Sequence, residues 1–425
     1  MKIKDLKERL VNSKFLKDSF FAVFGNGFGQ ALLLVAGIFI ARILGKDLYG
    51  EYGVAKTNMF YMAGFATFGL GFTATKYVAQ YVRENKSAVI GIIRSCTIIT
   101  IAISLFLAVL MVLLSSQIAL FLKTPSLVPV FKYLSFIVVF RAMSTTGIGI
   151  LSGLGKFYDI AINAVTSGLT MLLFSIPFTY YYGLKGALLS LALSQFANAL
   201  LNYRSIRKEC KTLPSCETIV TIGDILKFTF PVAMQELSFT LCNWGAIAIL
   251  TILSSIGEVG IYSATAQWNA VILFLPSILA NVVLSHLSSV SDKKTNTKVL
   301  KKVLLIYLVC TIIPFIVVFL LSPFISGLYG TEFNDMNRVL QLMVFATIPL
   351  CCADVFKSEL IALGKPWHLF FIRSARDLVL IVVLYVLLLH FNGIHGAFYL
   401  ALSNVLSAVV YFIGSWLIYM YVRKK

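Results

Sequence analysis

Arg141 and Glu236 are the two residues whose type and position point most directly to chemistry. Each lies about halfway along an apolar segment, at 130–152 and 225–253 respectively. No acid stands three or four residues from Arg141, so its own helix cannot neutralise it. A cation at the centre of a membrane-spanning helix costs about 2.5–3.5 kcal/mol by insertion scales, and such residues are usually functional. Two interpretations stay open: a structural ion pair between Arg141 and Glu236, or an anion-binding cavity lined by Arg141, with Glu236 and the adjacent Gln235 as counter-ion or coupling groups.

A second candidate region lies around Lys56, near one end of the second apolar segment. Asn26 and Gln30, one turn apart on the first segment, extend the same polar face. We therefore include Lys56, Asn26 and Gln30 with Arg141 as candidate substrate-binding residues. Two structural alternatives remain: snorkelling of Lys56 to the membrane interface, and small-residue helix packing around Gly25, Gly27 and Gly29.

A third group of charges lies in two apolar segments near the C-terminus. Asp354 and Lys357 are spaced i,i+3, and Arg373 and Asp377 are spaced i,i+4. Pairs at these spacings meet on one helix face and can neutralise each other. Arg376 is left without a partner by this pairing, and it is the fifth candidate substrate-binding residue.

The composition requires a membrane to hold these segments. The chain has 425 residues, of which 59% are hydrophobic and 13% charged, with a mean hydropathy of +0.89. Soluble domains are about half apolar and a quarter charged. The sequence therefore predicts an all-α, polytopic membrane protein, whose helices satisfy their own backbone polar groups in the bilayer.

Twelve spans are predicted from the runs of apolar residues, which are long enough to cross a hydrocarbon core of about 30 Å. They lie at 20–41, 51–76, 93–116, 130–152, 157–181, 184–204, 225–253, 259–285, 303–322, 337–362, 367–390 and 394–421. Most of the 36 Lys and Arg residues fall in the terminal arms and in alternate loops. This asymmetry predicts that both termini are cytoplasmic. It also explains the net charge of +18 by contact with anionic membrane lipids rather than with nucleic acid.

No cofactor or metal site is predicted. The seven cysteines are scattered, and neither they nor the four histidines show metal-ligand spacing. No cleavage site follows the first apolar run, which we interpret as an uncleaved signal anchor. We expect no catalytic residues and no enzyme activity.

An internal repeat divides the chain. "YGEYGVA" at 49–55 matches "VGIYSAT" at 259–265 with an offset of 210, and "YGLKGALL" at 182–189 matches "NGIHGAFY" at 392–399 with the same offset. Further matches at 209 lie between them. We predict a cytoplasmic segment 1–18, a six-helix bundle 19–205, a cytoplasmic linker 206–222 and a second bundle 223–425. With six spans each, the bundles would be related by a pseudo-two-fold axis along the membrane normal, as in many transporters.

Three stretches carry a resemblance to a known family. "ARILGKDLYGEYGVA" at 41–55, "GFATFGLGFTATKYVAQY" at 64–81 and "LSGLGKFY" at 151–158 resemble the corresponding turns and second helix of polysaccharide and O-antigen flippases of the Wzx type. These belong to the multidrug/oligosaccharidyl-lipid/polysaccharide (MOP) exporter superfamily. One departure is plain: 242–255 lacks the acidic-basic pair that many relatives carry there. We expect the turn at 41–57 to be an outer hinge with a structural role.

The resemblance implies a flippase that works by alternating access at the cytoplasmic (inner) cell membrane. Its cargo would be a polyprenyl-diphosphate-linked oligosaccharide, moved from the cytoplasmic to the outer leaflet for O-antigen or capsule-like polysaccharide biosynthesis. We expect a monomer, with other polysaccharide assembly proteins as further partners. The cations inside the spans outnumber the acids, which favours an anionic cargo. Two alternatives remain: a multidrug and toxin extrusion (MATE) type cation antiporter, which would use Glu236, and a membrane glycosyltransferase or polymerase.

Overall fold

A computed structural model describes residues 14–67, 69–214, 222–289, 293–362 and 366–424. Within these ranges the chain is helical throughout, with short connections and no strand. Its α-helices are α1 Lys14–Thr67, α2 Leu70–Glu84, α3 Val89–Leu113, α4 Ser115–Phe121, α5 Val128–Gly153, α6 Phe157–Cys210, α7 Ile222–Leu253, α8 Ile256–Ser289, α9 Lys293–Tyr329, α10 Met336–Ala362, α11 Pro366–His390 and α12 Gly396–Lys424. The predicted all-α fold is confirmed.

Two helices are each long enough to hold two of the predicted spans. Helices α1 and α6 both run for 54 residues, about 81 Å at 1.5 Å per residue, whereas a hydrocarbon core is about 30 Å thick. Each is interrupted by one non-helical glycine, Gly45 (φ 73°) in α1 and Gly183 (φ 54°) in α6. Both glycines lie in the left-handed region, which side chains disfavour. The interruptions fall between the predicted spans, so each long helix consists of two limbs.

Seven helices among the described residues are apolar and long enough to cross a membrane, and they include α1 and α6. The protein is therefore a multi-pass membrane protein, as predicted. The predicted second span at 51–76, which Gly64, Gly69 and Gly71 punctuate in the sequence, is formed by two helices. The helix ends at Thr67 and restarts at Leu70, because Gly69 takes a left-handed φ of 74°.

Contacts within the chain group it into two units. Unit 1 comprises residues up to Ile40 together with Ala55–Thr240. Its central helix is α5, which packs against α6, α3 and α2. Helices α5 and α2 approach closely through glycines, since a Cβ on Gly149 would collide with the carbonyl oxygen of Gly71. A buried aliphatic cluster that includes Leu70, Ile92 and Ile150 packs α2, α3 and α5 together.

Unit 2 comprises Ala41–Val54 and Leu241–Lys425. Its central helix is α10, which packs against α12, α8 and α9. In the predicted numbering of spans, α5 is the fourth and α10 the tenth. The neighbours of α10 are then the repeat counterparts of the neighbours of α5, so the internal repeat extends to helix packing. The predicted limits of the four sequence segments stay a prediction.

The segment 41–54 packs in unit 2 against its own repeat counterpart. A Cβ on Gly50 would collide with the carbonyl oxygen of Ile256, and a Cβ on Gly260 with that of Lys46. The offset of 210 relates Gly50 to Gly260 and Lys46 to Ile256, so the two contacts are reciprocal. The same offset relates Gly53 to Ser263, and these two residues also meet. Reciprocal contacts of this kind define a local two-fold relation. We call this crossing of 46–53 with 256–263 the glycine seam.

Side chains of unit 2 hold the glycine seam in place. Glu332 accepts a hydrogen bond of 2.8 Å from the backbone N–H of Lys46, at the start of the second limb of α1, where helices leave N–H groups unpaired. Gln267 donates a hydrogen bond to the hydroxyl of Tyr49. The ring of Tyr49 lies 5.9 Å from that of Phe333. The turn at 41–57 thus makes structural contacts within unit 2, and its role as an outer hinge stays a prediction.

Candidate functional site

The guanidinium of Arg141 lies among uncharged partners in unit 1. It sits over the ring of Phe60, with 4.5 Å from its carbon to the ring centroid. Its Nη1 is 3.5 Å from the side-chain oxygen of Gln195, at the limit of a hydrogen bond. Cation–π contact with an aromatic face is a favoured setting for a partly buried arginine. These contacts orient the guanidinium, and neither of the two partners carries a negative charge.

Lys56 lies close to this guanidinium. It precedes Phe60 by four residues on the second limb of α1, so both side chains lie on one helix face. Lys56 and Arg141 are near enough to repel each other electrostatically. In the described part of the chain, no carboxylate lies within ion-pair distance of either residue. The structure therefore brings together two of the five predicted substrate-binding residues; with Phe60 and Gln195 they form what we call the Arg141 site.

The Arg141 site is continuous with a buried chain of amides and hydroxyls. Ser144 donates a hydrogen bond of 2.5 Å to the side-chain oxygen of Asn198. Asn202 donates to the same oxygen over 2.7 Å, and Asn163 donates to Asn202 over 2.8 Å. Together with Gln195 these residues form what we call the amide ladder. It joins α5 to both limbs of α6.

The amide ladder was missed at the level of sequence. Its members are uncharged, whereas a charge within an apolar segment is what pointed to Arg141, Lys56 and Arg376. The available signal was spacing: Gln195, Asn198 and Asn202 recur every three or four residues in an otherwise apolar span, which places them on one helix face. Buried amides satisfied by each other specify how helices pack in a membrane. The ladder thereby specifies how α5 packs against α6, the helix that carries Gln195.

The region of Asn26 and Gln30 is occupied mainly by small-residue packing. A Cβ on Gly25 would collide with Ala161, and one on Gly29 would come within 3.0 Å of the carbonyl oxygen of Ala164. The first limb of α1 therefore packs closely on α6 through its glycines. Asn26 is half-buried and Gln30 is exposed. Among the described residues, Gln30 makes no hydrogen bond to Arg141 or Lys56.

Glu236 and Gln235 lie on α7, but their side chains are outside the described residues. Their predicted roles as counter-ion or coupling groups stay predictions. The same holds for the ion pair between Glu236 and Arg141.

Two pairs of opposite charges form in unit 2. The predicted pair of Lys357 with Asp354 is confirmed at 3.7 Å. The expectation that Arg376 lacks a partner is wrong: its Nη2 lies 2.8 Å from Asp377 Oδ1, and its Nε lies 3.0 Å from the same atom. Adjacent residues can pair in this way because the long arginine side chain folds back over its neighbour, here beside the ring of Tyr411. Arg376 thus differs from Arg141, although both were predicted to bind substrate.

Sequence comparison places the chain in a family. The family model for polysaccharide biosynthesis proteins matches residues 15–285. The chain belongs to the polysaccharide biosynthesis protein family. The resemblance of its motifs to that family is therefore confirmed. A comparison with curated proteins found no significant sequence match to this chain.

Solved structures show which fold this family member has. It is similar to an inward-facing multidrug resistance MATE transporter of the MOP superfamily (TM-score 0.76, 15% identity, 93% of this chain and 96% of that one covered). It is also similar to the lipid II flippase MurJ in an inward closed conformation (TM-score 0.73, 16% identity, 93% and 87% covered). A third similar structure is a MOP superfamily transporter from Pyrococcus furiosus (TM-score 0.66, 15% identity, 96% and 97% covered). At these identities the likeness establishes the fold of MOP transporters, which several cargo classes share.

Proposed function

We propose that this family member is a flippase for a polyprenyl-diphosphate-linked oligosaccharide. It would move this lipid from the cytoplasmic to the outer leaflet of the cell membrane during synthesis of a cell-surface polysaccharide such as O-antigen or capsule. The observation that carries the proposal is the Arg141 site, where Arg141 and Lys56 lie together with no described carboxylate within ion-pair distance. Two cations in a membrane-spanning unit are costly unless an anion or water meets them.

A diphosphate is the anion that such a site suits. Moving a diphosphate unaided through hydrocarbon would cost tens of kcal/mol by Born solvation. A flippase must therefore give the headgroup a cationic or hydrated path while the polyprenyl tail stays in lipid. Arginine binds phosphate oxygens through two parallel N–H groups, and lysine adds a point charge. Arg141 would supply the first kind of contact and Lys56 the second.

The family and the fold support the same proposal from another direction. The matching family is defined by polysaccharide biosynthesis, and one structure of the same fold is a lipid II flippase. Alternating access between two six-helix bundles would carry the headgroup across without enzyme chemistry. We propose a monomer in the cytoplasmic membrane with both termini in the cytoplasm, working beside other polysaccharide assembly proteins.

The membrane potential would assist export. A cytoplasm-negative potential drives each negative charge outward by about 2.3 kcal/mol per 100 mV. Two phosphate charges would therefore gain about 4.6 kcal/mol on crossing 100 mV. Dissipating the potential in energised vesicles is expected to slow transport, and an unchanged rate would refute this part of the proposal.

A MATE-type cation antiporter is the second candidate, since a MATE transporter is structurally similar over nearly the whole chain. Such an antiporter must attract organic cations, so its cavity needs acids. The two cations of the Arg141 site, Arg141 and Lys56, would repel that cargo. The fold itself accepts different pockets: the transporter from Pyrococcus furiosus is described as having a binding pocket of reversed polarity that suggests a different function.

Cells that lack this protein distinguish the two candidates. Lipids are extracted, diphosphate-linked oligosaccharide is quantified, and its leaflet is assigned with a membrane-impermeant probe. A flippase predicts accumulation in the cytoplasmic leaflet that wild-type protein reverses and an equally abundant Arg141→Ala variant does not. Lys132→Ala is the matched control, because Lys132 is an exposed cation on the same helix. Unchanged lipid-linked sugar together with new sensitivity to cationic drugs would replace the flippase by the antiporter.

A further inference from the structure

An apolar cleft of about 310 Å³ lies in unit 1 among α3, α5 and α6. Its walls are mainly aliphatic, with Ile93, Ile98 and Ile150 among the lining residues. Ile98 is 51% exposed and Tyr203, at another edge, is 50% exposed, so the cleft opens on the outer surface of the helices. Exposed apolar side chains on membrane-spanning helices are suited to contact with lipid chains.

Two arginines stand at one end of the cleft. Arg94 lies near the start of α3 and Arg207 in the last turn of α6, and both line the cleft. Within the described residues neither arginine forms an ion pair. Glu209, the acid nearest to Arg207 in sequence, is bound to Lys156 at 2.8 Å. The cleft therefore combines an apolar channel with an uncompensated positive end.

The cleft is separate from the Arg141 site. Met143, Gly147 and Ile150 of α5 line it, and successive helical residues are about 100° apart. Met143 consequently points about 200° away from Arg141 around the helix axis. The two features occupy opposite faces of α5, so a molecule in the cleft does not touch the predicted path of a headgroup past Arg141.

We propose that this cleft is a binding site for an anionic phospholipid of the surrounding bilayer. One acyl chain lies in the aliphatic channel, and the phosphate is bound by Arg94 and Arg207. Charge complementarity selects this occupant: juxtamembrane cations attract anionic headgroups by about 1 kcal/mol each, while the aliphatic walls require a chain. The proposal is independent of the cargo that the protein transports.

Such a lipid would stabilise unit 1, because a ligand that binds only the folded state raises stability with the logarithm of its concentration once that exceeds Kd. It bridges the start of α3 and the end of α6. The probe is dioleoyl phosphatidylglycerol, added to detergent-purified full-length protein, with dioleoyl phosphatidylcholine as the zwitterionic comparison. Thermal unfolding reports stabilisation, and native mass spectrometry reports the bound lipid.

The expected result is a higher Tm with phosphatidylglycerol than with phosphatidylcholine. The double variant Arg94→Gln/Arg207→Gln is expected to weaken phosphatidylglycerol binding about tenfold or more. Arg204→Gln is the matched control, since Arg204 is an exposed cation at the same end of α6 that does not line the cleft. Equal stabilisation by the two lipids, or equal binding to the double variant and the control, would overturn the proposal.

A second variant tests the channel with both arginines intact. Thr97 lines the cleft, and among the described residues its hydroxyl bonds only to the carbonyl of Ile93 in its own helix. Thr97→Phe therefore fills the cleft without removing a contact between helices, and it is expected to abolish the lipid-dependent rise in Tm. Full retention of that rise would contradict the site. Displacement of phosphatidylglycerol by an equal concentration of undecaprenyl diphosphate would instead assign the cleft to a cargo lipid and overturn the phospholipid proposal.

Discussion

Arg141 of unit 1 and Arg376 of unit 2 are both arginines inside apolar helices, and they differ in what faces them. Arg141 contacts the aromatic ring of Phe60 and the side-chain amide of Gln195. It is also repelled electrostatically by Lys56. Arg376 makes two contacts with one carboxylate oxygen of Asp377. Among the described residues, the first arrangement includes no negative charge, whereas the second pairs the arginine with a carboxylate.

The repeat makes this contrast informative. An offset of 209 sets Ser167 opposite Arg376 and Leu350 opposite Arg141, so neither arginine has a charged counterpart. The two units nevertheless use equivalent helices around a central one. The shared packing therefore requires neither charge. We infer that compensation separates the two roles: a neutralised arginine serves stability, and an uncompensated one serves cargo.

Removing Arg376 should have the largest effect, and the effect should be on stability. Its side chain is 11% exposed and that of Asp377 is 6% exposed. Breaking a buried ion pair from one side costs about 3–5 kcal/mol, because the remaining charge is stranded. Arg376→Leu is expected to lower Tm strongly, and Arg376→Leu/Asp377→Leu to recover most of the loss. Thermal unfolding in detergent measures both, and a single variant as stable as wild type would refute the contrast.

Removing Arg141 should have the next largest effect, and the effect should be on transport. A hydrogen bond to a charged group contributes about 1.5–3 kcal/mol, which corresponds to roughly a tenfold to hundredfold loss of transport rate. Tm should stay the same or rise, since an uncompensated cation leaves the membrane interior. The measurement pairs a leaflet assay with thermal unfolding. A fall in Tm like that of Arg376→Leu would show that Arg141 is a structural residue.

The glycine seam tests the repeat itself. Gly50→Ala and Gly260→Ala each place a methyl group against a backbone carbonyl, and overpacking of this kind costs about 1–3 kcal/mol. Because the contacts are reciprocal, the two variants should lower stability by similar amounts. Gly327→Ala is the control, since no atom lies near its Cβ position. Clearly unequal losses would show that the seam is not two-fold.

Lys357 should matter least. It pairs with Asp354 at 3.7 Å, and both side chains are more than a third exposed. Exposed pairs at this helix spacing contribute about 0.3–0.5 kcal/mol. Lys357→Gln is therefore expected to change Tm by no more than a degree or so and to leave transport intact. A large transport defect would place a cargo contact in unit 2 and weaken the contrast between the units.

The helices and their interruptions could be predicted from sequence. Apolar runs of this length cross a bilayer as α-helices, which satisfy their own backbone polar groups, and glycines mark the turns between them. Gly45 and Gly183 separate the limbs of α1 and α6 where the predicted spans end. The partner of Asp377 could not be predicted in the same way. The i,i+4 rule describes pairs on a helix surface, whereas the direction of a packed arginine depends on neighbouring helices, here the one that carries Tyr411.

The candidate site was predictable only in part. The position of Arg141 in the middle of an apolar span identified it as a candidate, because a charge in hydrocarbon is costly and is usually functional. The neighbours that orient it, Phe60 and Gln195, are an ordinary aromatic and an ordinary amide in the sequence. Only tertiary packing brings them to within contact of the guanidinium.

The glycine seam also bears on how such a chain can arise. Were the repeats once separate, identical polypeptides, the seam would have been a self-complementary dimer contact, in which each substitution occurs twice. Fusion into one chain removes that constraint. Gly50 and Gly260 are both glycine where the backbones touch. At the neighbouring positions of the repeat the halves differ: Lys46 corresponds to Ile256, and Asp47 to Gly257. A duplicated gene can thus place a charge in one half and an apolar residue in the other. Arg141, opposite Leu350 in the repeat, is an asymmetry of this kind that no dimer of identical subunits could acquire.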